Sequence, residues 1–209
     1  MIIHNMLQGS EEWHAIRAGK LTGSNATAIG NNGKGLQTYV EDVVLALFIQ
    51  KEFKSNKDTE RGHRLEPTAR TKYEFETGLS VLEVGFLEHN DYCGASPDGL
   101  VKGQKKGLEI KARNAPKHLA LLRTQKVDSA TIWQMNMNML ISGYETWDFV
   151  SYNKDFKQSF FLKTFPRDEL KIAKLRVGIA AGTKMLKEAL SDPIIKEEIE
   201  WYNFKNKKQ

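Results

Sequence analysis

The chain has 209 residues, with 31 basic against 26 acidic side chains, a formal charge of +5 and a pI near 9.1. Its length and 40% hydrophobic content suffice for one core, so a single domain over 1–209 is expected, and the positive excess is compatible with a nucleic-acid partner without establishing one. One cysteine, Cys93, excludes an internal disulfide framework and leaves no ligand set for a cysteine-bound zinc or iron–sulfur centre.

Taken in chain order, residues 8–18 read as a helix, with Trp13, Ile16 and Arg17 at helical spacing. Leu21-Thr22-Gly23-Ser24 breaks it, and Thr22 or Ser24 can cap a second helix from Asn25. Residues 30–35 read as a flexible Gly/Asn loop. A strongly amphipathic helix follows over 38–50, with Val40, Val43, Val44, Leu47 and Phe48 as its apolar stripe. The segment 59–77 is a further helix that stops at Gly78, and Pro67 marks a start or kink within it.

The period then changes. Residues 80–88 alternate as a strand, 92–95 form a second, 99–101 are turn-like or open the next segment, and 108–112 are a short strand. A helix over 129–142 ends at Gly143. Strands at 146–152 and 159–165 are joined by Asn153-Lys154-Asp155, and a last helix runs from Pro166 through 190. A disordered tail is expected at 203–209. This order predicts an α/β fold with a mixed central β-sheet flanked by α-helices. No apolar run approaches membrane-spanning length, and residues 1–10 lack the pattern of a signal peptide, so a reducing cytoplasm is the expected location.

The chemistry concentrates at 96–113. Ser96-Pro97-Asp98-Gly99 is a turn carrying a carboxylate, followed by Leu108-Glu109-Ile110-Lys111 on a strand. Side chains alternate along a strand, so Leu108, Ile110 and Ala112 face the core while Glu109 and Lys111 share the other face, together with Asp98 if its turn lies alongside. Two carboxylates and a backbone carbonyl suit a hard divalent cation such as Mg2+. The adjacent lysine can orient the attacking water, help deprotonate it, and neutralise charge growing on a phosphate. Glu-x-Lys alone marks a solvated strand face in most proteins; the Pro-Asp turn upstream and the apolar strand make this a PD-(D/E)xK nuclease pattern.

The flanks sharpen it. The motifs are Gln8-Gly9-Ser10-Glu11-Glu12-Trp13 continuing through Lys20-Leu21-Thr22-Gly23-Ser24, then Arg61-Gly62-His63-Arg64-Leu65-Glu66-Pro67-Thr68-Ala69-Arg70, Ala95-Ser96-Pro97-Asp98-Gly99-Leu100, Leu108-Glu109-Ile110-Lys111 and Trp133-Gln134-Met135 before Gly143. In order and over roughly residues 8–144 they resemble the phage lambda exonuclease and YqaJ-like viral recombinase family. The resemblance implies a restriction-endonuclease-like fold and metal ligation by Asp98, Glu109 and the Ile110 carbonyl. It assigns the lysine role to Lys111, places Glu66 in the acidic cluster, and sets Gln134 near the metal and the water. Related nucleases often carry a tyrosine where this chain has Asn138, so that part of the pattern fails. Arg17 and Ser24 match a pocket for a 5′-terminal phosphate.

The same resemblance implies a Mg2+-dependent enzyme, with Mn2+ as a substitute, that degrades linear double-stranded DNA from 5′ to 3′ and leaves a 3′ overhang. It further implies a ring-shaped homotrimer threaded by DNA, a single-strand annealing recombinase as partner in phage-type recombination, and a bacterial host cytoplasm. An endonuclease on the same fold and a non-catalytic DNA-binding module are the alternatives; the joint presence of Asp98, Glu109 and Lys111 argues against the second. Trp13 reads as core, and His14, His63, His89 and His118 have no ligand spacing and read as structural or surface. Lys102, Lys105 and Lys106 form a basic turn beside the site, either a solvated hairpin or a contact to a DNA backbone.

Overall fold

Proline and glycine placement divides the strands between two sheets. In the computed structural model, which describes residues 1–49 and 57–206, the first half comprises β1 (Ile2–His4), α1 (Glu11–Arg17), β2 (Leu21–Thr22), a 3-10 turn at Gly23–Asn25, α2 (Ala26–Asn31), α3 (Lys34–Leu45) and α4 (Lys57–Thr77). Then follow β3 (Val81–Leu82), β4 (Phe86–Asn90), β5 (Cys93–Ala95), β6 (Gly99–Val101) and β7 (Lys106–Ala112). The chain ends with α5 (Ala115–Thr124), α6 (Ser129–Ser142), β8 (Thr146–Tyr152), β9 (Phe160–Pro166), α7 (Glu169–Ser191) and α8 (Pro193–Asn206). One sheet has the order β1-β4-β5-β2 and the other β3-β6-β7-β8-β9. Each contains one parallel pair, β2 with β5 and β7 with β8, so both are mixed and the α/β reading holds.

The strand expected over 80–88 is two strands in different sheets. The break falls at 83–85, where Gly85 lies so close to the N-terminal segment that a Cβ would stand 2.5 Å from the Met6 carbonyl. The chain crosses back between sheets at Ser96-Pro97-Asp98, where Pro97 has no N–H to extend a ladder. The site therefore sits where β5 leaves one sheet and β6 enters the other.

Other boundaries moved for local reasons. The helix expected from Asn25 opens with the 3-10 turn, and α3 starts at Lys34, which shortens the expected loop at 30–35. The end of the helix expected over 38–50 falls at Leu45, and Gln50 lies outside the described residues. Helix α4 runs through Pro67 without starting there. Pro166 closes β9 opposite Thr146, and the last long helix begins only after Asp168, whose carboxylate accepts from the Leu170 and Lys171 amides. Helix α5 was not expected. Neither was α8, which makes 203–206 helical where a tail was predicted; 207–209 lie outside the described residues.

Two apolar clusters hold the elements. The larger joins α2, α3, α6 and α7 to the β-strands through Leu21, Ile29, Leu36, Met135 and Leu175. Close approach of α2 and α7 depends on Gly178, where a Cβ would lie 1.8 Å from the Ile29 carbonyl oxygen. The smaller cluster packs Ala69 and Tyr73 of α4 on Leu108, Ile110 and Val150 of β7 and β8, so α4 and β7 form one unit. Among the described residues no helix is long and apolar enough to cross a membrane.

Candidate active site

The Ser96-Pro97-Asp98 turn is held from several directions. Gln8 Nε2 donates to the carbonyls of Pro97 (2.9 Å) and Val84 (3.0 Å). Ser96 Oγ accepts from Trp13 Nε1 and Arg17 NH1, both at 2.9 Å. Arg70 NH2 donates to the Asp98 carbonyl at 3.2 Å. The Asp98 side chain reaches β7, where its Oδ2 accepts the Ile110 amide at 2.6 Å. The turn and the Glu-x-Lys strand, separated in sequence, are thus bonded neighbours.

On β7 the expected facing is observed. Leu108 and Ile110 enter the apolar cluster with Tyr73, and Glu109 and Lys111 point away from it. Glu109 is nonetheless fully buried, at 0% exposure, because α6 covers that face. Lys111 Nζ lies 2.7 Å from Glu109 Oε1 as an ion pair, and donates to Gln134 Oε1 of α6 at 3.4 Å. Among the described residues, neither Glu109 oxygen accepts an aligned hydrogen bond. Burial pushes the Glu109 carboxyl well above the ordinary glutamate range; Lys111 opposes this and Asp98 adds to it. Burial by itself lowers the Lys111 ammonium, but Glu109 and Asp98 outweigh it and hold that group above the ordinary lysine value, so it stays cationic.

Glu66 projects from α4 into the same cleft as Asp98, alongside Gln8, Arg70 and Glu83. Its Oε1 accepts from Arg70 NH2 at 2.6 Å. Burial and the Asp98 charge raise its carboxyl to about 7, against the lowering effect of Arg70. Among the described residues no three His, Cys, Asp or Glu side chains stand close enough together to hold a metal ion. The residues present fit a cation bound by two carboxylates and a carbonyl: a buried carboxylate with an oxygen lacking any donor calls for positive charge beyond Lys111.

Arg17 and Ser24 flank this centre. The Arg17 guanidinium stacks on the Trp13 ring, 4.1 Å from its centroid, and its contacts among the described residues include no carboxylate. Burial lowers its pKa from the ordinary value. Ser24 is exposed on the 3-10 turn, 3.2 Å from Thr22 Oγ1. That turn lies against α6: a Cβ on Gly23 would meet Gln134 Cγ at 3.7 Å and Asn138 Oδ1 at 2.9 Å. Asn138 is buried. The remaining candidates are structural. His118 is buried between Ser151 Oγ and the Gln158 carbonyl, both at 2.9 Å. Trp13 is half-buried, with its indole N–H on Ser96 and Gly85. Cys93 is buried, its thiol pushed up to about 12 by burial.

The model of the YqaJ-like viral recombinase domain matches residues 12–145. The chain belongs to the YqaJ-like viral recombinase family. Among solved structures, the alkaline exonuclease LHK-Exo from Laribacter hongkongensis is 32% identical with a TM-score of 0.77, the match covering 95% of this chain and 99% of that one. LHK-Exo in complex with dAMP gives 33% identity and a TM-score of 0.78 at the same coverage. A phage related exonuclease from Haemophilus somnus 129PT shares the fold at 18% identity and a TM-score of 0.67, covering 85% of this chain and 98% of its own. No curated protein matches. Membership of the YqaJ-like family implies a nuclease acting on DNA. Three contacts of this YqaJ-like site were not anticipated, those of Arg70, Gln8 and Ser96. Gln8, Arg70 and Ser96 all lie inside the motifs that carry the family resemblance, and Arg70 stands one helical turn beyond Glu66, a spacing that signals a shared face.

Proposed function

We propose that the protein is a metal-dependent exonuclease that hydrolyses linear double-stranded DNA, running 5′ to 3′ and leaving a 3′ single-stranded overhang for phage-type recombination. The observation that carries the reading is the bonded cluster of Asp98, Glu109, Lys111 and Gln134 in a chain of this family. Asp98, Glu109 and the Ile110 carbonyl would hold Mg2+, with Mn2+ as a substitute. Bound there, the cation supplies Lewis-acid charge to the phosphate under attack. Lys111, ion-paired with Glu109, is placed to orient the attacking water and to clamp charge growing on the phosphate. Gln134 fixes the Lys111 ammonium through its amide oxygen. Glu66 extends the acidic wall on the Asp98 side.

The stacked Arg17 guanidinium suits a 5′-terminal phosphate, with the Ser24 hydroxyl beside it. Family resemblance extends the reading to a ring-shaped homotrimer threaded by DNA and to a single-strand annealing recombinase partner. Ile194, Trp201 and Phe204 stand exposed on α8 and offer apolar surface to such an assembly.

The test is degradation of linear duplex, labelled at one end at a time, with Mg2+, beside a closed circle, for wild type and Lys111→Ala. Loss of label from 5′ ends, an intact circle and an inactive variant are expected. Cutting of the circle would move the assignment to an endonuclease, and DNA binding without cleavage under any divalent metal would leave a non-catalytic module. Arg17→Ala should abolish any preference for 5′-phosphorylated over 5′-hydroxyl ends.

A further inference from the structure

Arg70 is 8% exposed and bonds a residue of its own helix and two other segments. Its NH2 donates to Glu66 Oε1 at 2.6 Å and to the Asp98 carbonyl at 3.2 Å, and its NH1 meets Glu83 Oε2 at 2.7 Å. It thereby joins α4 to the Pro97-Asp98 turn and to the crossing between sheets at 83–85. A planar guanidinium reaches these three acceptors from two nitrogens held in a fixed fork, whereas an ammonium presents its donors from a single atom. The Glu83 carboxylate is 70% exposed, so that bond adds little. The two inward bonds fix where Asp98 and Glu66 stand.

We infer that Arg70 is a positioning residue that sets the divalent-cation affinity of the site by fixing the Asp98 backbone and the Glu66 carboxylate. The inference rests on the reading of Asp98 and Glu109 as cation ligands. The sign of the effect separates positioning from charge. Arg70 is a cation beside an acidic site, so by Coulomb interaction alone its removal tightens cation binding. Positioning predicts weaker binding, by about 10–100-fold, the usual cost of losing a partner that orients a ligand.

The test is calorimetric titration of the full chain with Mg2+ and with Mn2+, without DNA, for wild type, Arg70→Ala, Arg70→Lys and Asp98→Ala, with melting temperatures in parallel. Arg70→Lys keeps the charge and loses the fork, and about tenfold weaker binding by a folded protein is expected. This variant decides the matter if Arg70→Ala does not fold. Wild-type or tighter affinity in folded Arg70→Lys overturns the positioning role; if Asp98→Ala has meanwhile lost binding, the site reading stands. No saturable binding by wild type, or binding untouched by Asp98→Ala, overturns the site reading and this inference with it.

Discussion

Two buried carboxylates on adjacent strands differ in their partners, and the proposed ligand is the one left without aligned donors among the described residues. Asp148 of β8 is 1% exposed and accepts from Tyr73 Oη at 2.7 Å and Thr164 Oγ1 at 2.5 Å, with Lys106 Nζ at 3.2 Å. Burial and the Asp148 bond raise the Tyr73 phenol, so it remains a donor at any working pH. Among the described residues, Glu109 of β7 has one ion pair and no aligned donor. The satisfied acid contributes stability, and the unsatisfied one is held in place at a cost that suits a ligand. Tyr73→Phe should therefore cost about 1–3 kcal/mol in urea unfolding, with cleavage per folded molecule unchanged. Glu109→Gln should do the reverse: cleavage falls to background, while the melting temperature without added metal does not drop. A large loss of stability in Glu109→Gln would make that carboxylate a structural one. Lys106, engaged by Asp148, is withdrawn from the basic turn in which the sequence placed it.

At the scale of elements, the caps on α6 bear most directly on the site, because α6 carries Gln134. Asp128 accepts from the Thr131 amide at 2.9 Å and hydroxyl at 3.0 Å and pairs with Arg113. Burial raises the Asp128 carboxyl, but the Arg113 and Thr131 bonds outweigh it and hold it at about 2, below its ordinary 3.8. A depressed carboxylate stabilises the fold above its unfolded value and loses that contribution as pH falls through the folded value. Asp128→Ala should cost about 1 kcal/mol near neutral pH through loss of the N-cap. The gap from wild type should narrow as pH falls from 3.8 towards about 2, followed by urea melts across that range. A gap independent of pH would show that the ionised carboxylate is not the stabilising form. Helix α5 escaped the sequence reading although its signals were present: Asn114 caps it by accepting the Lys117 amide at 3.1 Å, and Pro116 sits in its first turn. Asn and Pro together also spell a turn, and in so short a segment local pattern does not decide between the two.

For the whole molecule, the proposed duplex substrate requires a basic surface to meet its phosphates. Lys102 and Lys105 remain exposed on the turn between β6 and β7, at the far end of the strand that carries Glu109. If they contact phosphates, the double variant Lys102→Ala, Lys105→Ala should weaken duplex binding equally for all sequences. It should also flatten the slope of log affinity against log salt by about 2. Binding would be measured with Ca2+ in place of Mg2+ over a range of salt, and an unchanged slope would take this turn out of the interface.

Local pattern determined much of the reading. The bounds of α6 and β8 match those expected, because a capped helix and an alternating strand are decided within a few residues. The juxtaposition of Asp98 with Glu109 and Lys111 was legible because a Pro-Asp turn before Glu-x-Lys on an apolar strand is a specific order of residue types. Tertiary structure decided what depends on contacts across long separations. It split the strands into two sheets, buried Glu109 under α6, engaged Lys106 with Asp148, and brought Arg70 onto the Asp98 carbonyl. Desolvation and partner choice belong to the packed molecule: the same carboxylate is a solvated surface group or a cation ligand according to what lies across from it.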